Sequence, residues 1–269
     1  GLTQTQCCKH MKIKISAVKA YGASIVLYGD SYSDTYEELH RQIEKHGYTY
    51  IAPFDDPDVI AGQGTVGKEI LDQAGRRLDA VYVPVGGGGL ATGVSTLAKL
   101  INPKIKVIGV EPSGAACLKA SLEKGEVVTL PSANTIADGT AVKTPGQKIF
   151  PYLKKNLDEI VTVDDDEIIA AFLDMVENHK MIVENSGLLT VAALKHLEDK
   201  DKNIVSILSG GNMDVITMSS VVSQGLIFRD RIFTVSVLLP DKPGQLAQVS
   251  ALIAELDGNV IKLEHNQFI

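Results

Sequence analysis

Val83-Pro84-Val85-Gly86-Gly87-Gly88-Gly89-Leu90 is the stretch that decides how this chain is read. The apolar run Ala80–Val85 precedes the four glycines, and a helix-like stretch, Ala91 to Leu100, follows them. The order predicts a strand, a tight loop and a helix. Residues without Cβ let the backbone approach a ligand closely and take positive φ. A helix start carries about half a positive charge and unpaired N–H donors. The hollow formed by loop and helix therefore suits a phosphate.

Outward from this loop, strand-like runs alternate with helix-period segments. Candidate strands are Ser24–Leu27, Tyr48–Ala52, Ala80–Val85, Lys106–Val110, Glu159–Val163 and Ile204–Leu208. Ile168, Ile169, Phe172, Met175 and Val176 form one helical stripe, and Val191, Leu194 and Leu197 belong to another. This alternation predicts an α/β fold with a parallel sheet and helices on both faces. Asp164-Asp165-Asp166-Glu167 precedes a helix and reads as N-capping with dipole complementarity rather than a metal site. Residues 125–150 are rich in turn formers and read as a long surface excursion.

The pattern changes after Gly225. Phe233, Val235, Val237 and Leu239 alternate as one face of a half-buried strand would. A turn at Asp241–Gly244, a stripe from Leu246 to Leu256 and a second strand over Asn259–Leu263 follow. The expected boundaries are a small domain over 1–55, a large domain over 56–225 and a separate βαβ unit over 226–269.

Bulk properties narrow the function classes. The chain has 269 residues, 45% hydrophobic and 22% charged, with a formal net charge of −7. No broad basic face is expected, so nucleic acid is not the expected partner. No apolar run approaches the roughly 20 residues that span a bilayer, so no membrane is expected either. The first ten residues carry no apolar signal-peptide core, and three cysteines (Cys7, Cys8, Cys117) make no disulfide framework. Cys7 and Cys8 read as free thiols, and a reducing, cytoplasmic setting is expected. The six histidines show no ligand spacing and read as surface residues.

Three phosphate ligands compete for the loop. Gly86-x-Gly88-x-x-Ala91, with Glu111 near the end of the next strand, satisfies a dinucleotide fingerprint. That fingerprint usually opens its domain, whereas this one begins at residue 86. Gly62-x-x-x-x-Gly67-Lys68 nearly completes a Walker A loop, but Glu69 stands where Ser or Thr would coordinate magnesium, and this reading is rejected. The third ligand is pyridoxal phosphate, which needs a second turn to hold the far end of its ring. Ser209-Gly210-Gly211-Asn212 supplies one after the strand at Ile204–Leu208. Ser209 reads equally as the N-cap of the following helix.

Seven ordered segments resemble the threonine/serine dehydratase group of fold-type II pyridoxal-phosphate enzymes (tryptophan synthase β-like). They are Phe54-Asp55-Asp56-Pro57, Ala61–Thr65, Val83–Leu90, Gly109-Val110-Glu111-Pro112, Thr135–Gly139, Val183-Glu184-Asn185-Ser186-Gly187 and Leu208–Asn212. The resemblance runs from about Lys14 to about Gly225. Residues 226–269, with Asp241-Lys242-Pro243-Gly244-Gln245-Leu246, resemble the first half of a ferredoxin-like ACT domain.

The resemblance implies deamination of L-threonine to 2-oxobutanoate, and of L-serine to pyruvate, by loss of the β-hydroxyl and then ammonia. It implies that Gly86, Gly87, Gly88, Gly89 and Leu90 cradle the phosphate of pyridoxal 5'-phosphate and that Ser209 meets the pyridine nitrogen. A neutral hydroxyl there limits carbanion delocalisation and goes with β-elimination. Glu184, Gly210 and Asn212 line the site on this reading, with helix capping as the alternative for Glu184. Relatives form dimers and tetramers and bind amino-acid effectors at the ACT domain, so a homo-oligomer is expected.

The family's Schiff-base lysine sits in a Ser-x-Lys-x-Arg motif, which this sequence lacks. Neither Lys19 nor Lys143 matches it, and the family's Asn-containing loop is also missing. The chain therefore reads as an internal fragment, inactive alone. Some relatives bind a divalent cation through the glutamate matched by Glu111 and an acid six residues on. Here that position is Cys117, a poor ligand for hard cations, so no metal is expected. A non-catalytic regulatory or binding fragment is the second reading, and an NAD-dependent dehydrogenase the third.

Overall fold

The computed structural model describes residues 3–6, 12–29, 32–198 and 201–264. The readings of Cys7, Cys8, His10 and His265 lie outside the described residues.

The described residues form two parallel sheets. The first pairs β1 (Thr3–Gln6) with β2 (Ser24–Leu27) across α1 (Lys12–Ala20). α2 (Tyr32–His46) leads to an irregular stretch and then to α3 (Pro57–Ala74). Asp56 caps α3 by accepting from the N–H groups of Asp58 and Val59, and Pro57 opens the helix.

The second sheet holds β3 (Ala80–Pro84), β4 (Lys106–Pro112), β5 (Glu159–Val163) and β6 (Ile204–Ser206) in the order β5-β4-β3-β6. All pairings are parallel, with Ala80 opposite Lys106, Tyr82 opposite Ser206 and Glu111 opposite Thr162. Its connections carry α4 (Gly89–Ile101), α5 (Cys117–Lys124), α6 (Phe150–Asn156), α7 (Asp165–Asp174) and α8 (Leu189–Ala193). α9 (Val215–Phe228) and α10 (Gln245–Glu255) follow the sheet.

β3 shows why its sequence is a continuous apolar run. Successive side chains of a strand face opposite ways. Ala80 and Tyr82 enter a core with Val110, Phe172, Leu189 and Val221, while Val81, Val83 and Val85 enter one with Val94, Leu118 and Leu153. A strand covered on both faces has no polar side to show.

α3 and α4 pack backbone to backbone. A Cβ on Gly93 would stand 2.5 Å from the Gly64 nitrogen and 2.6 Å from the Ile60 carbonyl. Gly64 and Gly67, within the rejected Walker-like segment, thus serve helix packing inside α3, whereas Gly62 is exposed.

Three expected strands do not form. Tyr48–Ala52 is irregular, and Ile51 is exposed. Residues 233–239 and 259–263 are also irregular, with Phe233, Val235, Val237, Val260 and Ile261 exposed. Alternation encodes a strand only where a neighbour completes the ladder, and none does so among the described residues. The segment after α9 is instead tied down at its start. Arg229 donates to Asp174 at 2.5 Å, to Glu177 at 2.8 Å and to the Ala170 carbonyl at 3.1 Å.

The acidic run before α7 caps it, as its sequence implies: Glu167 Oε2 accepts from the Asp164 N–H at 2.8 Å. Asp165 does more, accepting from Thr135 Oγ1 at 2.6 Å and the Ile136 N–H at 3.1 Å. It anchors the irregular excursion to the end of the sheet. His40, His46, His179 and His196 are exposed.

Candidate cofactor site

The chain runs from β3 to β4 to β5 on one side of the sheet, then returns to place β6 on the other side of β3. The strand order reverses between β3 and β6. Open α/β sheets bind ligands in the crevice at the carboxyl ends of strands where this happens. Gly86–Gly89 leaves β3 there, and Ser209–Asn212 follows β6 there. Both sequence-predicted glycine turns thus border one crevice.

The first turn is enclosed. Gly87, Gly88 and Gly89 are buried, and Gly88 takes φ +99° as the residue before α4. A Cβ on Gly87 would fall 2.3 Å from the Phe54 ring, and one on Gly86 would fall 3.0 Å from Thr140. Among the described residues, the N–H groups of Gly86 through Ala91 find no hydrogen-bond partner. Buried backbone donors without partners are costly, and a row of them at a helix start fits an anion.

The second turn is open. Gly210 takes φ +83°, and a Cβ there would lie 2.3 Å from Glu184 Cδ. Glu184 Oε2 accepts from the Asn212 N–H at 3.1 Å, and the Glu184 N–H donates to the Gly210 carbonyl at 3.2 Å. The Glu184 carbonyl accepts from Gly187, as a cap would, but its carboxylate serves the glycine turn instead. Asp214 caps α9, accepting from Ile216 and Thr217 at 2.9 and 3.0 Å, so Ser209 is not that helix's cap. Ser209 Oγ is half-buried and has no partner among the described residues.

One residue pair joins the two turns. Thr140, against Gly86, has its Oγ1 3.5 Å from Ser186 Oγ, and Ser186 borders Gly139 beside Glu184.

Glu111 lies elsewhere. It is 0% exposed, and its carboxylate accepts from the N–H groups of Leu118 and Lys119 at 2.8 and 2.9 Å. It caps α5 and does not face the crevice, which removes the ribose contact that the dinucleotide reading requires. Burial, opposed by these two bonds, pushes its carboxyl up to about 7. Burial also pushes the adjacent Cys117 thiol up to about 12, so it is unreactive at neutral pH. Lys19 is exposed on α1, and Lys143 Nζ donates to the Pro131 carbonyl at 3.2 Å.

In the sequence, Phe54 and Ser186 stand inside longer motifs and Thr140 stands just beyond one. Their positions depend on contacts spanning tens of residues, for which a single sequence has no local signal.

A family model described as "Pyridoxal-phosphate dependent enzyme" matches residues 5–210, from β1 through Ser209 and Gly210. The chain is 40% identical over 255 residues to an L-threonine ammonia-lyase of Thermotoga maritima, covering 94% of this chain and 63% of that protein. It is 40% identical over 250 residues to the chloroplastic biosynthetic threonine dehydratase of Arabidopsis thaliana, covering 91% of this chain and 42% of that one. The chain thus spans about 63% and 42% of these two relatives' lengths. Among solved structures, the processed threonine deaminase isoform 2 of Solanum lycopersicum matches with a TM-score of 0.76 and 42% identity, over 80% of this chain and 64% of that one. Serine racemase of Dictyostelium discoideum matches with a TM-score of 0.70 and 39% identity, over 77% and 67%. Two glycine turns meet at the sheet's reversal point, and the family match runs through both strands that carry them: this chain belongs to the pyridoxal-phosphate-dependent enzymes of fold-type II.

Proposed function

We propose that this chain is the cofactor-holding part of a threonine ammonia-lyase, which converts L-threonine to 2-oxobutanoate and ammonia and accepts L-serine to give pyruvate. The observation that carries this reading is the row of N–H groups at Gly86–Ala91, without partners among the described residues, facing the same crevice as the Ser209 hydroxyl, which also has none among them. The substrate class rests on the names of the relatives, threonine ammonia-lyase and threonine deaminase.

In this reading Gly86, Gly87, Gly88, Gly89 and Leu90 bind the phosphate of pyridoxal 5'-phosphate. Ser209 Oγ hydrogen-bonds the ring nitrogen without placing a charge beside it. Glu184 holds Gly210 and Asn212 in the turn that carries Ser209. The bound cofactor supplies an electron sink for the substrate's α-carbon. Thr140 and Ser186 keep the two turns in register.

Residues 1–55 form part of the substrate-side domain, 56–225 the cofactor domain and 226–269 an ACT-like unit that answers an amino-acid effector. The whole protein acts as a cytoplasmic homo-oligomer. The chain contains no Ser-x-Lys-x-Arg segment, so by itself it binds the cofactor without covalent attachment and does not turn substrate over.

The test pairs two preparations, both free of host dehydratase. The 269-residue chain is expected to bind pyridoxal phosphate and form no 2-oxobutanoate. A fusion that adds a relative's Ser-x-Lys-x-Arg domain is expected to form it from L-threonine. A fusion that binds the cofactor but deaminates neither L-threonine nor L-serine overturns the proposal.

A further inference from the structure

The four glycines do not hold their own shape. A trans peptide points its C=O and the next residue's N–H in opposite directions. Fixing one carbonyl therefore aims the following N–H. Three consecutive carbonyls of the loop are fixed. The Gly86 carbonyl accepts from Cys117 Sγ at 3.9 Å, and the Gly87 carbonyl accepts from the Gly146 N–H at 3.0 Å. The Gly88 carbonyl accepts from the Thr92 N–H at 2.9 Å and from Thr92 Oγ1 at 2.7 Å. The N–H groups of Gly87, Gly88 and Gly89 are thereby turned to the opposite side, where none has a partner among the described residues.

Two of these three supports are local or weak. Thr92 belongs to the helix that the loop opens, and a thiol is a weak donor at this distance. The Gly146 N–H is the strong remote one, 59 positions away in the irregular excursion. An irregular segment can present one N–H reliably only if something holds it.

Asp55 does so. Its carboxylate accepts from three successive N–H groups: Gln147 at 3.1 Å, Lys148 at 3.0 Å and Ile149 at 3.2 Å. Hydrogen bonds to an ionised acceptor are about twice as strong as neutral ones. The fit leaves no slack, since a Cβ on Gly146 would fall 2.6 Å from Asp55 Oδ1. The neighbouring Phe54 ring covers Gly87, and Ile149 and Leu153 side chains close on Gly88. Asp55 itself is fixed from behind, because Asp56 caps α3.

We propose that Asp55 is a positioning residue for phosphate recognition: its carboxylate locks the Gly146–Ile149 turn, whose N–H fixes the Gly87 carbonyl and so aims the Gly88 N–H into the phosphate site. This rests on the phosphate reading of the loop given above. Asp55 makes no hydrogen bond to the glycine loop and acts through the Gly146–Ile149 turn, whose Gly146 N–H meets the Gly87 carbonyl and whose Ile149 side chain meets Gly88.

Affinity for pyridoxal 5'-phosphate, compared with pyridoxal lacking the phosphate, tests it on the full chain by absorbance or fluorescence titration. A loop that adopts the aimed shape only part of the time loses apparent affinity by that fraction. Asp55→Ala is expected to weaken pyridoxal phosphate binding by about tenfold or more, as losing a charged acceptor would, while pyridoxal binding changes less than about twofold. Asp55→Asn, nearly isosteric and still able to accept, is expected to recover part of the discrimination. Equal loss for both ligands, or no loss for either, overturns the role of Asp55. If Asp55→Ala does not fold, Asp55→Asn decides: discrimination equal to wild type overturns the proposal. A wild-type chain that does not prefer pyridoxal phosphate to pyridoxal overturns the phosphate reading beneath it.

Discussion

The two glycine turns border one crevice but are built in opposite ways. Gly87–Gly89 is buried and Gly86 half-buried, the turn is walled by Phe54, Thr140, Ile149 and Leu153, and its carbonyls are held by three separate segments. Ser209–Asn212 is more exposed and rests chiefly on one side chain, Glu184. A phosphate needs several donors aimed at once, and preorganisation of that kind requires a rigid surround. A single hydroxyl facing a ring nitrogen requires only one well-placed bond. The difference in support matches the different tasks proposed for the two turns, and it predicts a graded response to substitution.

The largest effect is expected at the first turn. Gly88→Asp puts a side chain on a residue at φ +99°, with Leu153 2.7 Å from its Cβ, and adds a negative charge beside the proposed phosphate site. Backbone strain alone costs about 1–3 kcal/mol. With charge repulsion added, affinity for pyridoxal phosphate is expected to fall by about a thousandfold, some 4 kcal/mol. A titration unaffected by Gly88→Asp removes the loop from the phosphate site.

The next effect reaches the first turn's surround through Glu111, which caps the helix carrying Cys117. Its folded carboxyl titrates at about 7, against an ordinary 4.5. The folded chain therefore keeps a proton that the unfolded chain has already lost. Stability from this group is complete below pH 4.5, falls as pH rises to about 7 and is flat above. The loss amounts to about 3 kcal/mol. Urea unfolding at pH 5 and 7.5 is expected to show this fall, and Glu111→Gln is expected to remove most of it. A slope unchanged in Glu111→Gln assigns the effect to other groups.

The smallest effect is expected at the second turn. Gly210→Ala strains φ +83° and pushes on Glu184, but a flexible carboxylate in an open turn can yield. Cofactor affinity is expected to fall by about tenfold, within the range of a single strained residue. A loss at Gly210 equal to that at Gly88 would erase the contrast between the turns.

The sequence was most informative where structure is local. β3 begins and ends within a residue of its apolar run, because a doubly covered strand needs an unbroken apolar stretch, and the edge strand β5 keeps the expected bounds Glu159–Val163. Asp164–Glu167 marks the start of α7, because capping is a matter of a few residues. Legibility failed where a segment depends on a neighbour. Residues 48–52, 233–239 and 259–263 have strand-like composition and no ladder among the described residues.

The site divides the same way. Both glycine turns, Ser209 and Glu184 were legible as motifs. That both turns serve one cofactor was expected as well; the strand order β5-β4-β3-β6 that brings them to one reversal point was not, because strand order is a global property. Asp55 and Gly146 are ordinary turn residues in sequence, and only a contact across 92 to 94 positions gives them a part. Asp214 rather than Ser209 capping α9 was equally hidden, since both residue types suit that role.

The central claim is that Gly86–Gly89 receives the phosphate while the second turn meets the ring. Amide NMR on chain labelled with 15N at its 24 glycines tests it directly. Gly87, Gly88 and Gly89 are expected to shift saturably with pyridoxal phosphate and with inorganic phosphate, whereas Gly210 and Gly211 are expected to respond to pyridoxal phosphate alone. If Gly87, Gly88 and Gly89 stay still while the ligand binds, the account is contradicted.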